Sequence, residues 1–149
     1  MKLLALFTGR PTSTATEAPA TTKDKDNYYS LLHSLVIVES DDLDRSDYYV
    51  ESDVIPRIEG LGKKLRLKQR KVKKAIADNL RKRYQKILEA QLEIIADSGI
   101  PESRLAESKA NVFKFGAKLG LSQRELQQMI QDKRNTRKAY VSFASGLEF

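Results

Sequence analysis

Cysteine and tryptophan are absent from this 149-residue chain, and histidine occurs once, at His33. Without cysteine there is no disulfide scaffold, thiolate zinc site, iron–sulfur cluster or cysteine nucleophile. A single histidine rules out a two-histidine metal site, and a serine triad would have to run through His33. Long apolar runs are missing as well. No stretch approaches the roughly 18 apolar residues of a membrane-spanning helix. Leu3, Leu4, Ala5, Leu6 and Phe7 after Lys2 imitate the start of a secretory signal, but Gly9, Arg10 and Pro11 end the run. It falls short of the roughly 7–15 residues such a core needs. The expected location is therefore cytoplasmic or within a viral particle rather than secreted.

Other chemistries fail on spacing. Counting from Asp42, an EF-hand loop would place glycine at Asp47 and glutamate at Asp53. Gly62-Lys63 would need a glycine at Arg57 and Ser or Thr at Lys64 to be a phosphate loop. The carboxylates of residues 39–59 select no acid–base couple. No enzyme activity, metal or cofactor is expected.

What the chain has is charge, unevenly spread. The formal net charge is +7 and the pI about 9.6. Residues 1–62 carry six Lys and Arg against eleven Asp and Glu, for −5; residues 63–149 carry 21 against nine, for +12. Locally the contrast is sharper. Residues 39–59 hold eight acids and two arginines, whereas 63–86 hold twelve bases and only Asp78. A strongly basic balance predicts a polyanion partner, nucleic acid first. The acidic segment offers a second partner, within the chain or in a neighbouring copy.

Three regions follow from composition. Residues 1–26, Thr/Ala/Pro-rich from 8 onward, read as an extended or flexible arm. Residues 27–62 form an acidic, Tyr-rich segment with short helices. Tyr28, Leu31, Leu32 and Leu35 mark one helix face; Tyr48, Tyr49, Val50, Val54 and Ile55 mark another that Pro56 should end. Residues 63–149 read as a basic helical domain. There Leu65, Val72, Ile76, Leu80, Tyr84, Ile87, Leu88, Leu92 and Ile95 recur at three, four or seven, predicting one apolar stripe on a helix over 63–97. A third helix, over 101–119, stops at Gly120. A fourth opens on the capping box Ser122-Gln123-Arg124-Glu125, flanked by Leu121 and Leu126. The fold class is thus mainly α: an N-terminal arm, a long basic amphipathic helix and a C-terminal helical hairpin.

The candidate binding residues are Lys63, Lys64, Arg66, Lys68, Arg70, Lys71, Lys73, Lys74, Arg81, Lys82, Arg83 and Lys86. They leave the apolar stripe and could follow a phosphate backbone through counterion release. A secondary basic patch comprises Lys133, Arg134, Arg137 and Lys138. With only Tyr84 interleaved, base stacking on single strands is not the expected mode.

Lys118-Leu119-Gly120-Leu121-Ser122-Gln123-Arg124-Glu125-Leu126 resembles the turn and second-helix start of phage-repressor-like helix-turn-helix domains. That resemblance implies a DNA-binding regulator using residues 105–140. The pattern departs at Gln127, Gln131 and Arg137, where that family has a small residue, a glycine and a buried aliphatic. The preferred expectation is a non-catalytic structural or packing subunit of a larger assembly, whose basic helix contacts nucleic acid or an acidic neighbouring subunit. A phage-type virion or internal particle protein fits the small size, missing cysteines, arm and split charge. An adaptor for an acidic protein surface is the other alternative.

Overall fold

The computed structural model describes the backbone of residues 19–38 and 42–146, and side chains as far as residue 136. The chain is mainly helical, with no strand among the described residues. Helix α1 is Thr22–Ser34, α2 is Leu43–Tyr49, α3 is Ile55–Lys64, α4 is Gln69–Ala96, α5 is Glu102–Lys118 and α6 is Gln123–Gly146. A π-helical turn, Val50–Val54, joins α2 to α3 without a break.

Most of the expected arm, up to residue 18, lies outside the described residues. Its last part is corrected: residues 22–26 are helical. Thr21 caps α1, with its hydroxyl accepting from the Asp24 amide while the Asp24 carboxylate accepts from the Thr21 amide. Two of the orphan amides of the first turn are thereby satisfied.

Pro56 does not end a helix. It sits in the first turn of α3, directly after the π-helical turn, where the Ile55 amide donates to Val50 O and the i→i−4 ladder is already interrupted. Gly60 and Gly62 both lie inside α3. Gly62 is where α3 meets α4: a Cβ there would lie 2.7 Å from Val72 Cγ2.

The expected helix over 63–97 is two helices. Their junction is a Schellman turn in which the Leu67 amide donates to Gly62 O and the Arg66 amide to Lys63 O. Arg66 occupies the left-handed position, φ 59°, where glycine is usual. The same motif ends α5, with Leu121 N–H to Gly116 O and Gly120 N–H to Ala117 O. There Gly120, φ 82°, takes the left-handed place as its sequence predicts.

Helix α4 is about 42 Å long at 1.5 Å per residue and serves as the spine. The apolar pattern is not one straight stripe. Ile76, Leu80, Tyr84, Leu88 and Leu92 are each four residues apart, and every such step overshoots a full turn by about 40°. The stripe therefore winds round the helix. At its start Val72 and Ile76 pack with Tyr28, Leu32 and Leu35 at α1 and with Val50, Val54 and Ile58. At its end Leu88, Leu92 and Ile95 pack with Val112 of α5 and with Leu126 and Ile130 of α6. Between them Ile87 meets Leu43 of α2 and Phe115 of α5. Burying each such side chain stabilises by roughly 1.5–3 kcal/mol.

Candidate nucleic-acid interface

Two sets of charges meet on this spine, and they do not cancel each other. The acidic segment turns to α5. Asp44 pairs with Lys114, and Asp47 accepts from Lys118 Nζ at 2.6 Å, with Glu51 3.9 Å from the same nitrogen. Lys118 also lies 5.0 Å from the Tyr84 ring centroid. Burial alone would lower its pKa; the hydrogen bond it donates to Asp47, with the nearby charges of Tyr84, Asp47 and Glu51, outweighs that and raises it. Lys114 holds the Asp44 carboxyl below its ordinary value. Burial is the main cause of the raised Tyr84 pKa. Asp42 caps α2, its side chain accepting from the Arg45 amide. Asp41 lies outside the described residues.

Arg83 is the main correction to the candidate set. It is 1% exposed, the largest of the fully buried side chains. Its Nη1 donates to Ile37 O at 3.1 Å and reaches Leu35 O at 3.4 Å, while Nη2 donates to Ser46 Oγ at 2.6 Å. Burial depresses its pKa against the opposing pull of Asp47. An arginine stays charged even so. Arg83 Nε and Asp47 Oδ1 are buried with no hydrogen-bond partner. Arg83 thus ties the segment after α1 and the helix α2 to the middle of α4, and it is unavailable to an external partner.

The other eleven candidates are exposed: Lys63, Lys64, Arg66, Lys68, Arg70, Lys71, Lys73, Lys74, Arg81, Lys82 and Lys86. Lys64 pairs with Asp24 at 3.1 Å, and with the Thr21 amide it lowers the Asp24 pKa. Lys74 pairs with Asp78 at 3.2 Å, one turn on. None of the remaining nine has a carboxylate within 4 Å among the described residues. The structure brings them together on the Schellman turn and the first five turns of α4. Gln69, the amide opening α4 between Lys68 and Arg70, carries no charge that would mark it with its neighbours. With Glu59, Lys63, Leu67, Val72 and Lys73 it lines a cleft of about 220 Å³ at the elbow.

Lys133 is half-buried and pairs with Glu93 of α4, whereas Arg134 is exposed. The side chains of Arg137 and Lys138 lie outside the described residues. His33 is exposed on α1. Among the described residues no three His, Asp or Glu side chains gather as a metal would require. No described helix is long and apolar enough to cross a membrane. No known protein family, curated protein or solved structure matches this chain.

Proposed function

We propose that this protein is a non-catalytic packing subunit of a larger assembly that binds nucleic acid through the Schellman turn and the first half of α4. One observation carries the reading: Asp44, Asp47 and Glu51 of the acidic segment face Lys114 and Lys118 of α5, and nine exposed cations on the neighbouring surface have no carboxylate within 4 Å among the described residues. Concentrated charge of one sign on one face is the footprint of a polyanion site. The assembly part rests on exposed aromatic surface. Tyr48 is 72% exposed, and Tyr29 and Tyr49 are more than half exposed. Tyrosine is a residue that protein interfaces favour. A phage-type virion or internal particle is a setting that fits these features.

The test is the salt dependence of binding. Replacing Lys68, Arg70, Lys71, Lys74 and Lys82 together by glutamine removes up to five phosphate contacts. Each lost contact flattens the log–log salt slope by about 0.9 on duplex DNA. Weaker binding at every sequence with a flatter slope is the expected outcome. An unchanged affinity and slope with failed assembly would instead assign the surface to an acidic neighbouring subunit.

A further inference from the structure

We infer that α3, the Schellman turn and the start of α4 form a helix-turn-helix that seats α4 in the major groove of duplex DNA. This inference rests on the nucleic-acid reading above and makes it specific. A helix-turn-helix needs two helices joined by a three- or four-residue turn, with the second helix protruding to meet the groove. Here the connection is residues 65–68, closed by two backbone hydrogen bonds and the left-handed Arg66. The elbow is locked by close packing. Gly62 admits Val72 where any Cβ would collide, and Ile58 and Ile76, one turn back and one turn on, share the same buried cluster. Tyr28, Leu32 and Leu35 support the pair from behind.

The exposed side of α4 suits a groove. Arg70, Lys73, Lys74, Ala77 and Arg81 fall within about 100° of the helical wheel, on the side away from Val72 and Ile76. All five are exposed. A helix about 10–12 Å across with its side chains matches a major groove about 12 Å wide. Ala77, small and central on that face, lets the helix approach the base edges. Arg70, on that face in the first turn of α4, has the side chain that pairs bidentately with guanine. Lys71, Lys82 and Lys86 lie to one side, toward a phosphate wall.

Other polyanions fit less well. Tyr84, the aromatic side chain of α4, is turned inward against Phe115, 5.8 Å between centroids, so the face offers no stacking platform for single strands. The major groove of A-form RNA is too deep and narrow for a helix. The resemblance at residues 118–126 is a different element. Gly116 is packed against Leu126 there, and Lys114 and Lys118 of the preceding helix are engaged with Asp44 and Asp47.

The test uses the full chain with three probes of equal length: a duplex DNA pool with a randomised centre, the corresponding duplex RNA pool, and single-stranded DNA. Rounds of selection should enrich a short motif from the DNA duplex, with DNA duplex preferred over RNA duplex about tenfold or more. Arg70→Ala, solvent-facing and checked for unchanged helicity, should reduce preference for the enriched motif about tenfold, whereas Gln69→Ala, in the elbow cleft, should leave it unchanged. Lys82→Gln should weaken all duplex sequences alike. Equal binding of DNA and RNA duplexes, no enrichment, or enrichment indifferent to Arg70→Ala would overturn the groove assignment and leave the packing function standing. Binding to none of the probes at low salt would overturn both.

Discussion

Replacing Arg83 separates its role from that of every other base in the 63–86 run. Truncation to alanine removes the charged donors held by Ile37 O at 3.1 Å and Ser46 Oγ at 2.6 Å, and the longer contact to Leu35 O. It also removes the positive charge facing the nearly buried Asp47. Hydrogen bonds to a charged group contribute about 1.5–3 kcal/mol each, so the two short ones set a loss of about 3–6 kcal/mol. Water entering the vacated space recovers part of this, and breaking a buried charged arrangement by deleting one member costs about 3–5 kcal/mol. We therefore expect Arg83→Ala to lose about 3–5 kcal/mol. At a urea m-value of about 2 kcal/mol per molar, the midpoint falls by about 2 M.

Two comparisons make the result interpretable. Arg81→Ala and Lys82→Ala, the two exposed residues just before it, should stay within about 0.5 kcal/mol of the parent. Arg83→Lys keeps the charge but presents a single nitrogen to acceptors on two separate segments, so it should fall between parent and alanine. Equilibrium urea denaturation by circular dichroism, with the m-value unchanged, reads all four. A loss below about 1 kcal/mol for Arg83→Ala, or a fall in nucleic-acid affinity like that of Arg81→Ala at constant stability, would refute the buried role.

Gly116→Ala would drive a Cβ into the Leu126 side chain; a loss of about 1–3 kcal/mol in thermal or urea unfolding is expected, and no change would mean that α6 does not rest on the α5 backbone. Asp24, Asp44 and Glu125 have folded-state pKa values below their ordinary ones, through the Thr21 amide and Lys64, Lys114, and the Ser122 amide respectively. Their contribution is complete above the unfolded values near pH 4 and is lost as pH falls through the lower folded values. Lys118, raised, contributes fully below its ordinary value and loses that only as pH rises through the folded one. Stability should thus be flat between about pH 5 and 9, and a steep urea-midpoint change in that window would contradict the charge pairs. Lys68→Ser should raise stability by about 1 kcal/mol by supplying an N-cap to α4 and should weaken nucleic-acid binding; a fall in stability would deny that Lys68 is the cap.

The local chemistry of the chain was legible where a rule concerns neighbours. Ser122 and Glu125 form the capping box that their spacing announces, and Gly120 stops α5. The same rule, applied to Thr21 and Asp24, locates the start of α1 inside what composition marks as an arm. Arg83 was legible too, by position rather than by type. It falls at intervals of seven from Ile76 and four from Ile87, in the buried row, yet its charge groups it with the exposed bases. The break between α3 and α4 was not legible, because Arg66 adopts a backbone conformation that glycine usually marks. Nor was the partner of the acidic segment. Asp44 and Asp47 find Lys114 and Lys118 some 70 residues away, a pairing decided by how α2 and α5 pack on α4.

The start of α4 is locally at odds with the rest of the fold. A helix N-terminus carries a partial positive charge, and cations in the first turn oppose it by about 0.3–1 kcal/mol each. Lys68, Arg70 and Lys71 stand there, with no acidic residue in the first turn and no side chain capping it. Arg66 adds the strain of a left-handed non-glycine residue immediately before. By contrast α1 and α6 each begin on a complete capping box with an acid in the first turn. The chain uses the stabilising arrangement at those two ends and omits it at α4, whose first turn, unlike that of the equally uncapped α5 with Glu102, holds no acid. Local conflict of this kind is expected at functional sites rather than in scaffolding. Phosphates arriving at this elbow would relieve every one of the charge conflicts at once, which is the physical reason to place the contact here rather than on α6.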